Sequence, residues 1–396
     1  MNRTQFTSAD APGSDRKPVI LQVVPALVTG GVERGTIDVA AAVAAEGWTS
    51  LVASSGGPMV AELDRVGAQH ITLPLASKNP WIMHRNAGAL TELLYDRKVD
   101  IVHARSRAPA WSAFVAAKRI GSHFVTTYHG AYNAANPIKN FYNSIMARGE
   151  RVIAISDFIA RHIARRHGVS GVKIVTIHRG IDLSLFDPGH VSAERMIQLA
   201  TAWRLQDGMP VIMLPGRLTR WKGQTVLIEA LKVLGRDDVR CLLIGSDQGR
   251  HGYRGELEKM VRDRGLENVI HVIDNCRDMP AAYMLADVVV SASTDPEAFG
   301  RVAVEAQAMG RPVIASNHGG ARETVLAGET GWLVPPDDPQ ALAEAIRKAI
   351  ALSGGDRETM AIVARAHVER HFSVERMRAA TLDVYRSVLS GVQPVP

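Results

Sequence analysis

Cysteine is nearly absent from this chain: two thiols, Cys241 and Cys276, in 396 residues. Two cannot make a disulfide framework or a zinc cage, which points to a reducing compartment. No apolar run approaches the roughly 18–20 residues needed to span a bilayer, so an integral membrane protein is excluded. Residues 1–16 are polar without an apolar core, so they read as a flexible tail and not as a secretory leader. A cytoplasmic location is expected, with peripheral contact at the inner face of the cell membrane left open.

Several catalytic signatures are missing as well. No Asp-x-Asp triplet occurs, and no His/Cys/Asp group has metal-ligand spacing, so no metal site is expected. Without a Gly-Lys-Ser/Thr phosphate loop, ATP hydrolysis is disfavoured. Without Gly-x-Ser-x-Gly, a serine hydrolase lacks its nucleophile. What remains is a chain with 46% hydrophobic and 22% charged residues, the balance of a folded globular protein. Its length suits two domains.

The net charge of 46 − 40 = +6 is unevenly placed. Residues 1–190 hold 21 Lys+Arg against 14 Asp+Glu, and residues 191–396 hold 25 against 26. A uniformly basic nucleic-acid binder would not divide this way, and no nucleic-acid-binding signature is present. The segment Arg161, His162, Arg165, Arg166, His167 could face anionic lipid or an anionic acceptor. It reads equally as a solvated helix face.

Short β-branched runs alternate with helical stretches throughout, the pattern of parallel α/β architecture. Strands are expected at Val19–Ala26, Ser50–Ala53, His70–Leu73, Ile101–His103, Phe124–Tyr128, Val152–Ile155 and Ile174–Ile177. After a turn-rich stretch the alternation restarts at Val211–Leu214, Leu242–Ile244, Val269–Val272, Val288–Val290, Val313–Ala315 and Trp332–Val334. The chain therefore divides into doubly wound domains over 17–190 and 191–373, with a last helix in 374–396. In such sheets ligands bind beyond the carboxyl ends of the strands, and the candidate motifs follow strands.

The strongest runs from Asp295 to Glu305 after the eleventh strand. Glu297 precedes a helix whose first backbone N–H groups, around Gly300, Arg301 and Val302, would face an anion. Glu305 lies inside that helix, and each carboxylate could hold a ligand hydroxyl. A dipole-complementing acid and a surface glutamate would look the same. After the eighth strand, Arg217 and Lys222 flank a short loop and suit a diphosphate, the arginine through forked bonds and the lysine as a mobile charge. Thr29-Gly30-Gly31 after the first strand lets backbone approach a phosphate, or is simply a tight connection.

Other strand ends carry weaker signals. His129, at the end of the fifth strand, could donate to a sugar hydroxyl or phosphate, or could be structural. His103-Ala104-Arg105-Ser106, His178-Arg179 and Ser156 are lesser candidates, Ser156 reading as a helix N-cap. Asn275, in the loop ending at Asp278, could meet the edge of a base through its backbone. Cys276 has no activating base beside it.

Taken in order, these motifs resemble the family-4 retaining glycosyltransferases (glycosyltransferase group 1). The resemblance covers nearly the whole chain past residue 17. It implies the GT-B fold: two facing Rossmann-like domains, an interdomain cleft, and a C-terminal helix crossing back to the first domain. It further implies that Arg217 and Lys222 hold the donor diphosphate and Glu305 the ribose. Glu297 with the Phe299-Gly300 backbone would hold the donor sugar, Gly30 and Gly31 would approach the phosphate, and His129 would contact the sugar. The expected reaction is metal-independent transfer, with retention, from a nucleoside-diphosphate sugar, UDP first with GDP or ADP as alternatives. The acceptor would be a hydroxyl of a glycolipid or polysaccharide precursor such as lipopolysaccharide core. A sugar-nucleotide 2-epimerase of the same architecture, or a non-catalytic sugar-nucleotide-binding partner protein, stays open on sequence alone.

Overall fold

The computed structural model describes residues 16–28, 30–132, 136–249 and 251–391. Nearly all of the expected tail, and Thr29 of the Gly-Gly loop, lie outside the described residues. The chain forms two compact units, Arg179–Val374 and the residues on either side of it, up to His178 and from Glu375 onward. The division falls earlier than the boundary expected at 190, because the turn-rich stretch after His178 packs with the second unit.

The first unit holds a seven-stranded parallel sheet. Its strands are β1 (Val19–Val23), β2 (Thr49–Ser54), β3 (Gln69–Thr72), β4 (Ile101–Ala104), β5 (His123–Tyr128), β6 (Arg151–Ala154) and β7 (Ile174–Thr176), in the order β3-β2-β1-β4-β5-β6-β7. The second holds β8 (Val211–Pro215), β9 (Arg240–Ile244), β10 (Ile270–Ile273), β11 (Val288–Ser291), β12 (Val313–Ser316) and β13 (Gly331–Val334), in the order β10-β9-β8-β11-β12-β13. Every pairing is parallel. Each expected strand is present, because a parallel sheet covered on both faces demands continuous apolar runs. The central β1, β8 and β9 are buried along their full length, whereas edge strand β3 is partly open.

Both orders reverse direction once, between β1 and β4 and between β8 and β11. Loops leaving the carboxyl ends of such a neighbouring pair run in opposite directions and leave a crevice between them. The second unit is closed where its chain enters and leaves. Ile181 N–H donates to Phe372 O and Val374 N–H to Ile181 O, each at 2.9 Å. Gly180 is required there, since a Cβ would lie 2.4 Å from the Val374 backbone.

The last helix, Val374–Leu389, packs on the first sheet. Met377, Thr381, Val384 and Val388 recur at three- and four-residue intervals and are buried. Polar contacts, buried at His103 and more open at the two arginines, fix its position. Tyr385 Oη is 2.6 Å from His103 Nδ1, and His103 Nε2 is 2.7 Å from Thr127 Oγ1. Arg378 pairs with Asp38 at 3.3 Å and Arg386 with Glu46 at 2.6 Å. His103 is therefore an anchor inside the fold and not a residue offered to a ligand, which corrects one of the lesser strand-end candidates. The histidines of the basic segment differ from its arginines. In helix Asp157–His167, Arg161, Arg165 and Arg166 are exposed, but His162 and His167 turn toward Tyr128. Burial lowers the pKa of both. Ser156 caps this helix by accepting from Ile159 N–H, as its sequence position implied.

Burial, assisted by the positive charge of Arg105, drives the pKa of His103 well below 6.5. The unfolded chain takes up a proton there below about pH 6.5 and the folded one does not. Stability should therefore fall as pH drops through that range and be untouched above it. His103→Gln should reduce the difference in unfolding free energy between pH 7 and pH 5, by up to about 2 kcal/mol. Tyr385→Phe, which strands a buried ring nitrogen, should cost about 1–3 kcal/mol at neutral pH, read from chemical denaturation.

Candidate active site

The crevice of the second sheet is built from the loops after β8 and β11, and it gathers most of the residues singled out in the sequence. The first loop turns through Gly216 into a short 3-10 helix, Arg220–Lys222, and stops at Gly223. Gly223 has a φ of 74°, and a Cβ on it would lie 1.8 Å from the carbonyl oxygen of Ala292, just past β11. Only glycine allows the two loops to meet so closely. Thr294 N–H then donates to Trp221 O at 2.8 Å, and the His318 ring lies 2.8 Å from Ser293 O.

This seam brings Lys222 and Glu297 into contact. The ammonium lies 2.5 Å from Glu297 Oε1, and each side chain is only 15% exposed. Ser293 Oγ donates to the same oxygen at 2.7 Å, while the ammonium also sits 4.5 Å over the Trp221 ring. Glu297 Oε2 has no side-chain partner among the described residues. Sequence reasoning gave these two residues separate tasks; the structure places them in one pair. Arg217, leaving the same loop, is exposed, and its side chain has no hydrogen bond or ion pair among the described residues. Its backbone is pinned instead: Gln224 Nε2 donates to Arg217 O at 3.0 Å, and Tyr253 holds Gln224 at 3.2 Å.

Glu297 leads through buried Phe299 to Gly300, the N-cap of helix Arg301–Ala308, with a φ of 90°. Arg301 and Val302 open that helix, so its positive end lies a few residues from the Lys222–Glu297 pair along the chain. One turn on, Glu305 is held on both oxygens. Arg301 Nε donates to Oε1 at 2.5 Å and the buried Tyr283 hydroxyl to Oε2 at 2.8 Å. Burial and this carboxylate raise the Tyr283 pKa well above 10, so the hydroxyl stays a donor. The carboxylate keeps lone pairs for further donors.

The remaining candidates stand elsewhere. Asn275 is exposed in the loop after edge strand β10, and among the described residues no hydrogen bond or ion pair links it to this cluster. Asp278 caps the next helix and is clasped by Arg195 at 2.6 and 2.7 Å. Cys276 is half-buried, and burial raises its thiol pKa, which suits a bystander. In the first unit, Gly30 caps helix Gly31–Ala45 with a φ of 136°. His129 follows β5 and is half-buried. Near it Tyr128 stacks on Tyr132 at 4.4 Å, and Arg107 lies 4.1 Å over the Tyr132 ring.

A crevice whose two loops and following helix carry the cations Arg217 and Lys222, two glutamates and a helix N-terminus suits a ligand with both anionic and hydroxyl groups. Comparison with known proteins is decisive. The profile of the group 1 glycosyl transferases matches residues 198–367, and that of glycosyltransferase family 4 matches residues 29–185. A D-inositol 3-phosphate glycosyltransferase of Xylanimonas cellulosilytica is 32% identical over 72% of this chain and 71% of its own length. The chain belongs to the group 1 glycosyltransferases. A crystal structure of a glycosyltransferase from Rickettsia africae is 40% identical, with a TM-score of 0.87 over 94% of this chain and 99% of that one. Anabaena HepE, crystallised with UDP and glucose, is 25% identical with a TM-score of 0.80 over 93% and 99%. The two Rossmann-like units are thus those of a GT-B glycosyltransferase.

Tyr283, Ser293, Trp221 and Gln224 were not singled out in the sequence. Tyr283 lies in the helix before β11, where no strand-end rule points, and reaches Glu305 only through the folded packing. The Arg301–Glu305 contact had a signal, since residues four apart on a helix share a face. Tyr283→Phe in this glycosyltransferase should lower the stability of the second unit by about 1.5–3 kcal/mol, the worth of a buried bond to a charged group. A lower unfolding midpoint would show it.

Proposed function

We propose that this glycosyltransferase moves a sugar from a UDP-sugar to an acceptor hydroxyl, with retention at the anomeric carbon and without a metal. The observation that carries the proposal is the convergence at one switch point of Arg217 and Lys222 with Glu297, Glu305 and the N-terminus of helix Arg301–Ala308. Arg217 and Lys222 hold the diphosphate and meet the charge that grows on it as it leaves. Glu305, preset by Tyr283 and Arg301, takes the ribose. Glu297 and the backbone at Phe299, Gly300, Arg301 and Val302 take the sugar and the inner phosphate. Asn275 is proposed for the base edge. His129 and the Gly30–Gly31 turn are the first unit's candidates for substrate contact. UDP is chosen over GDP and ADP because HepE, a structural relative, binds UDP and glucose.

In the reaction the acceptor oxygen attacks the anomeric carbon on the face that the diphosphate leaves. The bond from that carbon to the phosphate oxygen breaks, and the acceptor proton passes to the departing oxygen. Glu297 positions the sugar and forms no covalent bond. Two protein cations supply the neutralisation that a metal would otherwise give.

The acceptor is proposed to be a glycolipid or saccharide precursor with anionic groups, such as a lipopolysaccharide core, in keeping with the excess of positive charge in residues 1–190. The relative named for D-inositol 3-phosphate favours a second reading, a small phosphorylated polyol.

Thermal unfolding with UDP, GDP and ADP, each in EDTA, tests the donor assignment. UDP at about a hundred times its dissociation constant should stabilise the protein by about 2.7 kcal/mol. No shift with any nucleotide, or a shift abolished by EDTA, would overturn it. Arg217→Ala should lower turnover of the donor about 10²- to 10³-fold with the fold intact; unchanged turnover would remove Arg217 from the site.

A further inference from the structure

Helix Pro137–Ser144 turns apolar residues to the solvent. Ile138 is 80% exposed and Phe141 60%, and the exposed Lys139 lies between them. Phe141 continues into an aromatic shelf, stacking 5.1 Å from Trp111. Cations cover that shelf. The Arg148 guanidinium lies 5.0 Å over Trp111 and 5.5 Å over Phe141, and the Lys118 ammonium lies 4.9 Å over Phe114. Arg166 Nε donates to Asn140 on the same helix at 3.0 Å. No acidic residue occurs between Asp100 and Glu150. Glu150 itself is engaged by His123 at 2.8 Å and by Phe124 N–H.

We propose that this helix docks the enzyme onto an anionic lipid bilayer. Ile138 and Phe141 enter the boundary between headgroups and acyl chains, while Lys139, Arg148 and Lys118 meet the lipid phosphates. Charge complementarity selects this occupant. A second copy of the chain would set Lys139, Arg148 and Lys118 against the same cations of its partner, which is repulsive. A nucleic acid would use the cations and the rings but would leave Ile138 in water. Among the described residues no helix is long and apolar enough to cross a membrane, so the contact is at the surface. It rests on the reading of a lipid-borne acceptor, which it would bring within reach.

The test is co-sedimentation of the full chain with vesicles of about 70% phosphatidylcholine and 30% phosphatidylglycerol, and with pure phosphatidylcholine, at low and high salt. Binding is expected only to the anionic vesicles and should weaken with salt. Ile138→Ser with Phe141→Ser should reduce the partition coefficient about tenfold or more. Lys139→Glu, at an exposed position, should reduce it without disturbing the fold. The UDP thermal shift is measured on every variant, so loss of donor binding, which would indict the glycosyltransferase site, is read apart from loss of lipid binding. Wild-type protein that stays in the supernatant, or variants that bind as well as wild type, would overturn the proposal. So would self-association in sedimentation velocity that the double substitution abolishes, which would assign the face to a second copy.

Discussion

The contact between the loop after β8 and the loop after β11 is the constraint on which the candidate site of the second unit depends. Strands β8 and β11 are neighbours at the reversal in strand order, and the loops that leave them, though they then diverge, touch at one point, Gly223 against Ala292. A residue with a Cβ would push the loops apart, and the Lys222 ammonium would lose Glu297 Oε1 at 2.5 Å. The ion pair is therefore a consequence of backbone approach before it is a feature of chemistry. Its partial burial also makes it unforgiving. Removing one partner leaves the other charged in a place with little water, which costs more than the pair gains.

The first unit depends on a different closure. The chain leaves it at His178 and returns at Glu375, so its integrity rests on contacts between residues distant in sequence. The returning helix contributes an apolar stripe and the buried Tyr385 hydroxyl, which bonds His103 of β4, itself bonded on its other nitrogen to Thr127 of β5. A buried histidine with two hydroxyl partners stays neutral and specifies position more than it adds stability. The backbone bonds of Ile181 with Phe372 and Val374 give the second unit its own closure where the chain enters and leaves.

Much of this was legible in the sequence because the governing rules are local. Thirteen strands were readable from short β-branched runs, since strands buried on both faces cannot alternate with polar residues. The loops bearing Arg217, Lys222 and Glu297 were readable because a strand end in such a sheet is a place as well as a pattern. Pairing was not legible. Nothing along the chain says that Lys222 and Glu297 touch, that Tyr283 holds Glu305, or that His103 faces inward to Tyr385. These contacts join residues 75, 22 and 282 positions apart, and only the folded packing of strands and helices brings them together. The exposed Ile138 and Phe141 were equally hidden, because a helical spacing of apolar residues ordinarily signals burial.

The Lys222–Glu297 pair also bears on how a charged donor could be accepted. A lone ammonium at this depth would lose hydration and be hard to keep in place. The carboxylate and the Trp221 face hold it in place. A diphosphate entering beside Lys222 would offer one anionic partner in exchange for another, so the lysine need not pass through an unpaired state. Glu297, relieved of part of that contact, would keep its Ser293 bond and turn its acceptor capacity to a sugar hydroxyl. Arg217 needs no such exchange, because among the described residues no carboxylate holds its side chain. On the proposed reading the two cations would divide the work, the exposed arginine meeting the phosphate first and the held lysine closing on it once the carboxylate has a hydroxyl to bind.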